Sequence, residues 1–100
     1  MGIGLDIARG SGVTRSQMKE APRDAHYLWV SSQLEYPRLL ATLIGRDDLR
    51  IIGPALINRH RFYGRKFRLV IDHAVLDHNR DSDFRRELKA VLKIERTVNA

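Results

Sequence analysis

The chain has 100 residues, 43% hydrophobic and 30% charged, with a formal net charge of +6 and no cysteine. That suffices for one domain, residues 1–100, with a single modest core, and it excludes disulfides and thiolate metal sites. No apolar run approaches the roughly 18 residues of a membrane span, so no membrane partner is expected, and the basic balance favours polyanions such as nucleic acid.

The first residues, Met1–Gly10, have neither the pattern of a secretion signal nor that of a myristoylation signal, and a cytoplasmic setting is expected. Ile3, Leu5 and Ile7 alternate, which suggests a short strand over 3–8. Gly10 and Gly12 follow, then a helix from Thr14 to Glu20 that must stop near Pro22. Residues 25–31 are nearly all apolar, the pattern of a strand buried on both faces. Trp29 is expected in the core. Ser32 and Glu35 have capping-box spacing, but Pro37 favours a helix starting at that proline. Leu40, Leu43 and Ile44 would face the core, and Gly45 would end the helix. A second strand is expected over 49–52, ended by Gly53-Pro54. Residues 59–66 read as a basic, aromatic loop and 67–72 as a third strand. A polar connection runs from Asp72 to Asp81. A last helix over 83–97, capped by Asp81 or Ser82, places Phe84, Leu88, Val91, Leu92 and Val98 near one face. Strands alternating with helices predict an α/β fold: a small, mostly parallel sheet with flanking helices, in a reduced three-layer domain. In such sheets ligands bind beyond the carboxyl ends of the strands.

Three stretches can carry chemistry. The first is Arg9-Gly10-Ser11-Gly12-Val13-Thr14. Converging amides before a helix can cradle a phosphate, and a Ser/Thr hydroxyl can hold magnesium. The lysine such a loop needs is Val13 here, and an ordinary glycine turn is the plain alternative. The second is the apolar strand ending at Asp72, the pattern that holds magnesium beside a phosphate loop; Asp72 can equally cap a helix. Asp72-His73 and Asp77-His78 are secondary candidates for zinc, iron or manganese, although a spacing of five suits neither a helix face nor a strand face. The third is the run from Arg59 to Arg68, with Arg59, Arg61, Arg65, Lys66 and Arg68 but no acid. Phe62, Tyr63 and Phe67 interleave with them. Cations neutralise phosphates and aromatic faces stack on unpaired bases. The plain alternative is a solvated turn with Phe62 and Phe67 folded into the core.

Taken together, "ARGSGVTRSQMKEAPRDAHYLW", "LLATLIGRDDLRIIGP" and "GRKFRLVIDHA" resemble the first strands and nucleotide motifs of phage and bacterial P-loop ATPases of the terminase type, over roughly residues 3–76. The resemblance places Arg9, Gly12 and Thr14 in a degenerate phosphate loop and Asp72 at the magnesium-associated acid. It places Val13 at the lysine and His73 where a catalytic Glu commonly follows. Those departures remove the charge clamp and the water-orienting base, and the later motifs of the family lie on further strands. ATP hydrolysis is therefore not expected, and phosphate or magnesium-nucleotide is at most a bound ligand.

The sequence thus leads first to a non-catalytic accessory protein derived from a phage or mobile element. It would bind nucleic acid or another polyanion through residues 59–68, in a bacterial cell or on a virion. The alternatives are an ATPase-like subunit completed by a partner chain or a second copy, and a structural protein that serves as a virion component or host-protein inhibitor.

Overall fold

A computed structural model describes residues 12–100. The expected strand over 3–8, with Arg9 and Gly10, lies outside those residues. In chain order the described elements are helix α1 (12–20), β1 (His26–Leu28), α2 (Glu35–Leu43), β2 (Arg50–Ile52), a 3-10 turn (Pro54–Leu56), α3 (Arg59–Phe62), β3 (Leu69–Ile71), α4 (His73–His78) and α5 (Ser82–Val98). The three strands form a parallel sheet in the order β2-β1-β3. This is the small α/β architecture that the alternating pattern predicts.

β1 is the central strand, and alternation divides its side chains between two cores. Leu28 joins Ile52, Phe62, Phe67, Leu69, Val75, Leu88 and Val91 on the α3/α5 face. Tyr27 joins Met18, Ala25, Leu40, Ala41 and Ile51 on the α1/α2 face. Burial on both faces explains why residues 25–31 look continuously apolar. Full burial of each such side chain contributes roughly 1.5–3 kcal/mol.

α1 buries Thr14 and Met18, one turn apart, and its end is closed by Arg46. That guanidinium donates to the carbonyls of Met18, Lys19 and Pro22 at 2.7, 3.1 and 3.1 Å, while Asp48 receives it at 3.0 and 3.1 Å. α2 starts two residues before Pro37, which occupies the first turn, where no amide is needed. The Ser32–Glu35 capping box does not form: Leu34 is the N-cap, with no side-chain bond. Leu43 is 72% exposed, because the buried stripe runs through Pro37, Leu40 and Ala41. Gly45 ends the helix at φ 76°, the left-handed conformation that glycine adopts without strain. Gly53 serves another purpose: a Cβ there would stand 3.1 Å from the Ser31 carbonyl oxygen.

Two expected connections are helical. The Asn58 side chain accepts from the His60 amide at 2.8 Å and starts α3, so the basic stretch is a helical turn followed by a tight turn. The segment after β3 is α4, started by Asp72. α5 follows the predicted span closely. Asp81 caps it by accepting from the Asp83 amide at 2.9 Å, and Leu88 and Val91 are its buried residues. The outer edge of β3 is plugged by side chains. The Leu69 amide donates to Glu95 at 2.6 Å, and Gln17 donates to the Ile71 carbonyl at 3.0 Å. Plugging of this kind discourages pairing with another strand.

Candidate functional site

Asp72 directly follows β3 and is 1% exposed. Its Oδ1 accepts from the Thr14 hydroxyl at 2.9 Å and from the Tyr27 hydroxyl at 2.5 Å. Its Oδ2 accepts from the Ala74 amide at 3.2 Å, which starts α4. Three donors from three elements therefore converge on one carboxylate. Burial, reinforced by the bond to Asp72, pushes the Tyr27 phenol well above its ordinary range, so the hydroxyl stays protonated and donates. His73 Nε2 lies 3.2 Å from Thr14 Oγ1. The single Thr14 proton goes to Asp72, so the hydroxyl can only accept from His73, and Nε2 carries the hydrogen. Gln17 clamps the same corner by accepting from the His73 amide at 2.8 Å.

Thr14 and Asp72, 58 residues apart in sequence, thus meet at the carboxyl edge of the sheet. Gly12 and Thr14 are already helical, and the Val13 side chain between them is 49% exposed. Oδ1 accepts two hydrogen bonds and Oδ2 one, on a carboxylate that is 1% exposed. A magnesium ion at Oδ1 would displace Thr14 or Tyr27, leaving that hydroxyl without its buried partner, and one at Oδ2 would have to reach a carboxylate closed off from solvent. Asp77 and His78 lie exposed at the far end of α4 from Asp72 and His73. Among the described residues, no three His, Asp or Glu side chains gather into a metal-binding group.

The basic segment divides by exposure. Phe62 is 4% and Phe67 is 7% exposed, with ring centroids 4.6 Å apart. His26 meets Phe62 edge-on at 5.5 Å. Phe62 was a candidate for base stacking; its face is taken up in the core, which leaves it an anchor. Arg59 is also occupied. It pairs with Glu87 on α5 at 2.8 Å, and its amide donates to the same carboxylate at 3.1 Å. Those bonds hold the Glu87 carboxyl down at about 2. Arg61, Tyr63, Arg65, Lys66 and Arg68 are exposed. Among the described residues, no carboxylate lies within ion-pair distance of Arg61, Arg65, Lys66 or Arg68.

Sequence reasoning missed Tyr27 as a partner of Asp72, and Gln17 as a clamp on the backbone of its neighbours Ile71 and His73. Tyr27 had a usable signal: it alternates with His26 and Leu28, so its ring had to face α1. Trp29 is half-buried rather than enclosed, and its ring packs 5.9 Å from that of Tyr36. No family model, curated protein or solved structure matches the chain.

Proposed function

We propose that the chain is a non-catalytic accessory domain that binds nucleic acid through Arg61, Tyr63, Arg65, Lys66 and Arg68. One observation carries the reading: four cations and an aromatic ring stand exposed and unpaired, among the described residues, on a backbone pinned from beneath. Phe62 and Phe67 pin it in the core, and Arg59 pins it to α5. A pre-ordered cationic surface loses little conformational freedom when it meets phosphates, and binding is driven by counterion release.

The expected result is binding of short single-stranded DNA that weakens steeply with salt. Each phosphate contact contributes about −0.7 to the slope of log K against log salt. Arg61→Ala with Arg65→Ala should make that slope shallower by roughly one to two units. Fluorescence anisotropy across a salt series measures it. No binding at low salt, or a slope unchanged in the double variant, would remove the reading.

The Thr14–Asp72 bond favours a second reading, a phosphate or nucleotide held at the carboxyl edge with a partner chain supplying the missing cation. The burial of Asp72 and the three hydrogen bonds it already accepts weigh against it, as does the uncharged side chain at Val13.

A further inference from the structure

Of the phenyl and phenol rings in the basic segment, Tyr63 alone is exposed, with the His60 imidazole edge-on to it at 6.1 Å. Bases would need a second surface, and the edge of β2, which pairs with no further strand among the described residues, provides one. At the carboxyl end of β1 an open groove of about 1050 Å³ is lined by Trp29, Ser31, Ser32, Gln33, Tyr36 and Arg38, among others. Trp29 and Tyr36 stand at 48° to one another, an aromatic wall beside hydroxyl and amide groups. The Tyr36 hydroxyl has no hydrogen-bond partner among the described residues.

Arg38 also lines the next groove, about 400 Å³ between α2 and β2, together with Thr42, Asp47 and Arg50. Arg50 lies directly beside His26 in the β1/β2 register. Arg65 and Arg61 then share a small cavity with the same histidine. Arg38, Arg50, Arg65 and Arg61 therefore connect the aromatic groove with the basic segment. Glu35 and Asp47 line the two grooves as well and match Arg38 and Arg50 in number, so the excess of positive charge along the path comes from Arg61 and Arg65.

We propose that the outer edge of β2 is a track for single-stranded nucleic acid, with one base against Trp29 and Tyr36 and the phosphates led past Arg38 and Arg50 to Arg65 and Arg61. The proposal rests on the nucleic-acid reading above and adds the base subsite to it. It requires an unpaired base, because only an unpaired base can present its face to the groove.

Trp29 is the sole tryptophan, so its emission reports the groove directly. The full chain is titrated with a short labelled oligothymidylate, with an abasic strand of the same length and with inorganic polyphosphate. Oligothymidylate should quench Trp29 and bind at least about fivefold more tightly than the abasic strand, the low end of one stacked base. The abasic strand and polyphosphate should bind without quenching. Arg38→Ala, an exposed change, should weaken binding severalfold and leave the circular dichroism unchanged. If oligothymidylate binds by anisotropy without quenching Trp29, or no more tightly than the abasic strand, the track is wrong and the basic segment stands. An Arg38→Ala protein that binds as the parent does also removes the track. If none of the three ligands binds at low salt, both proposals fall.

Discussion

Asp72→Ala is expected to destabilise the domain by about 3–5 kcal/mol, close to the upper limit for a single substitution. The carboxylate joins α1, β1, β3 and α4 through Thr14, Tyr27 and the Ala74 amide. Without it, two hydroxyls remain buried without an acceptor, on residues 1% and 0% exposed, and α4 loses its cap. A hydrogen bond to a charged group contributes about 1.5–3 kcal/mol, and three on one residue do not simply add. Asp72→Asn keeps one carbonyl acceptor and should lose less. Urea unfolding followed by circular dichroism measures both. A loss below about 1 kcal/mol for the alanine variant would mean that the network is not formed in solution.

Phe62→Ala and the neighbouring Tyr63→Ala should separate completely. Phe62 fills the core between Phe67 and His26, and its removal should cost about 3–5 kcal/mol. Tyr63 is 59% exposed, and its removal should change stability by no more than about 0.5 kcal/mol. On nucleic acid the order reverses. Tyr63→Ala should weaken binding of a single strand by about 1–3 kcal/mol if a base stacks there. Phe62→Ala, where still folded, should act only by loosening the turn that presents Arg61 and Arg65. Paired unfolding and binding curves for the two variants test this. Equal stability losses would contradict the assignment of Phe62 as anchor and Tyr63 as contact.

Much of the architecture is legible because it depends on periodicity. The apolar runs mark the three strands, and the Leu88–Val91 stripe with Asp81 in front marks α5. Gly45 marks the end of α2. Illegible parts depend on contacts distant in sequence or on short helices. α3 and α4 have four and six residues, fewer than two helical turns, so no period can recur in them, and each starts because one side chain caps it. Leu43 is apolar but falls off the stripe of Pro37, Leu40 and Ala41. In the candidate sites, the meeting of Thr14 with Asp72 follows from strand order. The third donor, Tyr27, does not follow from any motif. The Arg59–Glu87 pair spans 28 residues, and nothing local in the basic run distinguishes Arg59 from its exposed neighbours.

The contact surface itself can be located by nuclear magnetic resonance. Amide shifts of the full chain, followed while a short single strand is added at low salt, should move most over residues 61–68. The amides of 12–14 and of Asp72 and His73 should stay in place. Shifts concentrated at 12–14 and 72–73, with 61–68 unmoved, would contradict the basic-segment account and favour the phosphate site at the carboxyl edge.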